Sequence, residues 1–169
     1  MLCCDMDGRR NSVSLSASGT SQVFNGDDSF KEEFGNGEEL TCGCTIFSQY
    51  GSNLFNITAL FKATEMWGFV MGGDGWTKYL ISPTIGCPAP GTLATVIVPP
   101  EGGRKGSTEN RCFAIWMGPD GIYISEGKHP VCVSDDIRNL WDQNSSVHIN
   151  QSYIEGFTGY VDTNRMEYH

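Results

Sequence analysis

Basic residues are scarce. Eleven Lys and Arg stand against 20 Asp and Glu, giving a formal net charge of −9 and a pI near 4.6. Nucleic-acid affinity draws mainly on Lys and Arg meeting phosphates, so this balance argues against a phosphate-gripping surface. It argues equally against docking on an anionic membrane. No apolar run approaches the ~20 residues that a bilayer-spanning helix requires. The opening residues, Met1-Leu2-Cys3-Cys4-Asp5-Met6-Asp7, carry neither a basic region nor an apolar stretch, which predicts no secretory signal. Histidine is limited to His129, His148 and His169, without His-x-x-x-His spacing. There is no Walker loop, no Gly-x-Ser-x-Gly and no Cys/His nucleophile arrangement. The expectation is a protein that is not an enzyme and uses no cofactor.

Glu-, Lys- and Ala-rich helical runs are few, whereas Gly numbers 21, hydrophobic residues make up 39% and aromatics 11%. That profile predicts an all-β, turn-rich chain. At 169 residues it is long enough for one domain with a real core. Organisation changes once. Residues 1–40 are polar, with short extended segments and turn signals at Asn25-Gly26 and Gly35-Asn36-Gly37. Residues 41–169 are more hydrophobic and read as a run of short strands. These are Thr45–Phe47, Asn56–Lys62, Met66–Met71, Trp76–Ile81, Leu93–Val98, Cys112–Met117, Ile122–Ser125, Val131–Val133 and Tyr153–Val161.

Turns punctuate them at Gly72–Gly75, Pro88–Gly91, Pro119–Gly121, Glu126-Gly127 and Asp162–Arg165. Asp120-Gly121 is expected to form a two-residue hairpin tip with positive φ. Glu101–Asn110 contains no apolar residue and reads as an exposed loop carrying Arg104 and Lys105. One short helix is expected from Ser134 to Trp141. Ser134 would cap it, Asp135 and Asp136 would sit in its first turn, and Ile137, Leu140 and Trp141 would form its apolar face.

Seven cysteines are an odd number, and without an export signal they read as mostly free thiols. Cys3-Cys4 and Cys42-Gly43-Cys44 are spaced too closely for the paired ligands of a structural zinc site, so no metal is expected. Gly72–Tyr79 and Gly118–Ser125 are similar to the Asp-box turns of sialidase-like propellers, a structural turn rather than a catalytic one. Glycoside hydrolysis needs two carboxylates facing one sugar, and no acidic pair stands out. Asn56, Asn144 and Asn150 fall in Asn-x-Ser/Thr triplets, which carry no weight without export.

The segment Ile57–His169 resembles the β-propeller-like modules of tailed-phage tail proteins, the tube and nozzle proteins of short-tailed phages among them. The resemblance follows an order. "ITALFK" (Ile57–Lys62) comes first, then the Gly/Trp hairpin "MWGFVMGGDGWTKYLI" (Met66–Ile81) and "IGCPAPGTLATV" (Ile85–Val96). "FAIWMGPDGIYISEGKHPVCVSDDIRNLWD" and "GYVDTNRMEYH" (Gly159–His169) complete it, with "DGIYISEGKHPVCVSDDI" the most specific phrase.

The resemblance implies antiparallel blades, a structural role in a virion tail, and partners that are further copies and other tail proteins. It implies that passing DNA makes only non-adhesive contact, in keeping with an acidic lumen that repels phosphate. In that family the closing phrase leads into further strands. A blade takes ~40–50 residues and closed propellers have ~4–8 blades, so 169 residues supply an incomplete ring. Open edges near Thr45 and near Tyr153–Val161 would then be covered by a partner. The alternative is a carbohydrate-binding β-module in which Trp67 and Trp76, beside the Gly-rich turn, stack on sugar faces. Core packing is the competing role for each aromatic, and it is the expected one for Trp116 and Trp141.

Overall fold

Short alternating segments, bounded by glycine, asparagine and aspartate, fold as antiparallel strands over much of the described chain. The computed structural model describes residues 2–4, 10–17, 19–25, 29–50, 53–72, 75–98 and 111–169. The chain divides into two compact units, Met1–Leu40 and Thr41–His169.

In the N-terminal unit, β1 (Leu2–Cys4), β2 (Ser12–Leu15) and β3 (Phe30–Glu33) form a three-stranded antiparallel sheet in that order. Val13 and Phe34 are fully buried, and the Phe34 amide donates to the Asn11 carbonyl at 2.9 Å. Gly35 takes a positive φ of 55°, and the Asn36 side chain accepts from the Glu38 amide at 3.0 Å. Those two residues build the turn expected at 35–37. The Asn25-Gly26 turn extends outside the described residues.

The C-terminal unit is two four-stranded meanders. The first is β4 (Cys42–Tyr50), β5 (Asn53–Phe61), β6 (Met66–Gly72) and β7 (Gly75–Ser82). The second is β8 (Ala94–Val98), β9 (Arg111–Met117), β10 (Ile122–Ser125) and β11 (Val131–Cys132). They join where Ser48 of β4 pairs Arg111 of β9. Period-two alternation puts Ile46, Ala59, Phe61, Ala114, Trp116 and Tyr123 into one core, with Met66 and Cys87. The rings of Phe61 and Trp116 meet edge to face with centroids 4.9 Å apart, although β4 lies between their strands. The sheet therefore curls to bring its inner face onto itself. The fold is all-β and antiparallel with short helical turns, and its described residues close neither a barrel nor a propeller.

Several sequence expectations are corrected. Thr45 lies in the interior strand β4, between β5 and β9, and is not a sheet edge. Tyr153–Val161 is not a strand. The Asn150 side chain accepts from the Ser152 amide at 3.1 Å and opens a 3-10 segment, Gln151–Gly156. Ile154 and Phe157 then pack with Ala89, Met117 and Trp141. Only Val161–Asp162 (β12) is extended, pairing with Glu167–Tyr168 (β13). Asp120-Gly121 is not a two-residue tip with positive φ. Gly118 to Gly121 make a four-residue loop closed by the Gly118 amide donating to the Gly121 carbonyl at 2.8 Å, and neither Asp120 nor Gly121 has positive φ.

The helix after Ser134 is a 3-10 segment, Asp135–Leu140, kinked at Ile137. Ser134 does not cap it, because its Oγ accepts from the Ile122 amide at 2.8 Å instead. Glu101–Asn110, with Arg104 and Lys105, lies outside the described residues.

Candidate functional site

Trp67 and Trp76 lie on neighbouring strands of the first meander and are both half-buried. They are not paired across the ladder: Trp67 faces Leu80 and Trp76 faces Met71. The Trp67 indole N–H donates to Glu65 Oε2 at 2.9 Å, the same oxygen that lies 3.5 Å from the buried Lys62 ammonium. Trp76 stacks on Phe69 with centroids 4.6 Å apart and 11° between planes. Each indole is thus engaged by its own sheet. Trp116 is fully buried, donating to the Gly86 carbonyl at 2.8 Å, and Trp141 is buried in the second cluster. Both serve as core, as expected.

A cleft lies elsewhere, on the stretch Asp120–Asp142. Its volume is about 400 Å³, and Asp120, Arg138, Asn139, Trp141 and Asp142 line it. The β9–β10 loop presents Asp120, and the 3-10 segment presents Arg138 and Asn139. Arg138 donates to Asp120 Oδ2 at 2.8 Å, and the Tyr123 hydroxyl donates to Asp120 Oδ1. Both carboxylate oxygens are therefore occupied. The Tyr123 phenol is pushed up by burial and then by the Asp120 carboxylate it serves, so it stays protonated at neutral pH. The Arg138 guanidinium is also raised, by its bond to Asp120. This is a braced ion pair beside an indole. Asp142 is exposed, and its Oδ1 accepts from both the amide and the side chain of Asn144.

A second groove of about 240 Å³ opens on the far end of β9 and β10. Phe113, Ile124 and Val131 contribute apolar side chains, while Lys128 holds Glu126 at 2.9 Å and Arg111 stands 3.7 Å from it. Its Glu126–Lys128 ion pair matches the Asp120–Arg138 pair of the first cleft.

The third concentration of chemistry is sulfur. Cys42, Cys44, Cys87, Cys112 and Cys132 are all free thiols. Cys87 is part of the main core, with Cys42, Cys44 and Cys132 packed against it. Burial pushes the Cys44 thiol up to about 12 and raises Cys112 as well. Cys42 is lowered, chiefly by a hydrogen bond from Cys87. Among the described residues no three His, Cys, Asp or Glu side chains gather as a metal site. The meeting of Cys42 with Cys87 had no local signal in the sequence. The one available hint was Cys42-Gly43-Cys44 on a strand, where a spacing of two puts both thiols on one face.

The last feature is an edge. β7 ends the sheet order, so one side of this eight-residue strand has no strand partner among the described residues. Tyr79 and Leu80 on it are 37% and 43% exposed. Tyr79 lies across Gly68 of β6, so closely that a Cβ there would come within 2.4 Å of its ring. No protein-family model, no curated protein and no solved structure matches the chain.

Proposed function

We propose that the chain is a non-enzymatic structural module, a component of a phage virion tail, that assembles with copies of itself and with other tail proteins through open strand edges. The observation that carries this reading is β7, an eight-residue strand at the end of the sheet order, with no second strand neighbour among the described residues, displaying Tyr79 and Leu80. A long edge of this kind is a template for another chain's backbone. The clefts are consistent with this reading, because Asp120 is held by Arg138 and Tyr123 and Glu126 is held by Lys128. The net charge of −9 lets DNA pass without adhesion. No helix of the described residues is long and apolar enough to cross a membrane.

Light scattering on the purified chain tests the proposal. The expected mass is a multiple of 18.5 kDa, with amides of β7 slow to exchange. Leu80→Lys places a charge on the edge and is expected to return the mass to that of one chain. A wild-type monomer whose outward β7 amides exchange freely would overturn the proposal.

A further inference from the structure

Two of the free thiols are brought to one part of the core by the backbone around them. Thr41, just before β4, donates its amide to the Phe61 carbonyl at 2.8 Å and its hydroxyl to the Cys87 carbonyl at 2.8 Å. The Cys87 amide in turn donates to the Lys62 carbonyl at 2.8 Å. These bonds lay the chain at Cys87 alongside Thr41-Cys42. Gly86 makes the approach possible: a Cβ at that position would come within 2.2 Å of the Lys62 carbonyl oxygen. The Trp116 indole fixes the same segment by donating to the Gly86 carbonyl. Cys87 belongs to the core cluster against which Cys42 packs, and the Thr41 hydroxyl that meets the Cys87 carbonyl also lies 3.7 Å from the Cys42 sulfur. The two thiols differ in access, since Cys42 is half-buried and Cys87 is fully buried.

We propose that Cys42 and Cys87 are a modification site, a dithiol that closes to a disulfide by exchange with an oxidised low-molecular-weight thiol such as glutathione disulfide. The half-buried member attacks first. The Cys42 sulfur displaces one glutathione from the glutathione disulfide, whose S–S bond breaks as a Cys42–glutathione bond forms. The buried Cys87 sulfur then attacks Cys42 and expels the second glutathione. The two protein thiols are oxidised, the two released glutathione thiolates take up their protons, and nothing else is consumed. Selectivity follows from the surroundings. The neighbouring Cys87 thiol and the Thr41 hydroxyl, 3.7 Å from the Cys42 sulfur, favour the Cys42 thiolate. Burial disfavours the thiolates of Cys44 and Cys112. The new bond would fasten the first residue of β4 to the segment before β8, enclosing the whole first meander in a covalent loop.

The test uses the full chain, incubated with glutathione disulfide at about pH 8 and alkylated before mapping. Non-reducing peptide mapping is expected to find Cys42 linked to Cys87, with about 2 Da lost and full reversal by dithiothreitol. The melting temperature should rise on the order of 10 °C on closure. Cys87→Ser should stop the reaction at a glutathione adduct on Cys42, and Cys44→Ser should leave the 42–87 link intact. The wild-type map alone decides if a variant fails to fold. A link from Cys42 to any other cysteine, or Cys42 and Cys87 both recovered as free thiols, would overturn the assignment.

Discussion

Gly121 and Gly127 sit at the two turns of the same hairpin ladder, and each is glycine for a different reason. Gly127 has a φ of 91°, a conformation that side chains rarely adopt, and a Cβ there would come within 2.5 Å of Ile57 Cδ1. Gly121 has an ordinary φ but no room. A Cβ there would lie 2.9 Å from both Cys132 Sγ and Ser134 Oγ. Gly121→Ala is therefore expected to destabilise by overpacking, at about 1–3 kcal/mol. The double-mutant cycle separates this cause from a backbone one. Adding Cys132→Ala removes one of the two clashing atoms and should recover part of the loss. Urea unfolding of the four proteins measures it, and strictly additive effects would point to backbone strain instead. The Asp-Gly pair marks a turn in the sequence, but the clash comes from residues more than ten positions further on, so its physical reason was not legible there.

At the scale of the element, Ser134 shows why strands were easier to read than the helix that follows them. Eight of the nine expected strands occupy strand positions, several lengthened by pairing, because alternation of buried and exposed residues is written locally. β4 grows from the expected Thr45–Phe47 to Cys42–Tyr50 through its ladder with β5. The Ser-Asp-Asp start of the next element looks like a capped helix. Its hydroxyl instead satisfies the Ile122 amide at the start of β10, twelve residues earlier, and so extends the hairpin beyond β11. Deprived of its cap, the segment forms a kinked 3-10 turn. Ser134→Ala is expected to cost about 1–3 kcal/mol, because it strands a strand-initiating amide next to a buried side chain. Hydrogen exchange at Ile122 should accelerate, whereas Ser134→Thr keeps the hydroxyl and should protect it. Unchanged exchange in the alanine variant would show that the hydroxyl holds nothing in place. Tyr153–Val161 failed for the same kind of reason. Asn150 caps a turn there, and contact with Trp141 gives its apolar residues a place that strand pairing would not.

For the whole molecule, the propensity for sheet was legible throughout, while the curl that gathers cysteines and phenols inside it was not, since pairs such as Cys42 and Cys87 meet only through tertiary structure. That gathering has a consequence for stability. Cys44 is pushed from an ordinary value of 9.0 to about 12 by burial. Cys87 is raised by the hydrogen bond it shares with Cys42, and Cys112, Tyr123 and Tyr168 are raised by burial. All of these are neutral when protonated. The folded chain keeps their protons above pH 9, where the unfolded chain releases them, so their contribution is fully present at neutral pH and fades as pH rises through 9 toward 12. Cys42, lowered by its hydrogen bonds, works in the opposite direction but is one group against several. Each held proton changes stability by about 1.4 kcal/mol per pH unit across its window. The urea midpoint, measured in dithiothreitol to keep every thiol reduced, should therefore fall steeply between about pH 9 and 11. Cys44→Ala removes one of the retained protons, so it should make that fall shallower even if it lowers the midpoint at neutral pH. A midpoint that holds level into that alkaline range would mean that these thiols and phenols meet solvent in the folded chain.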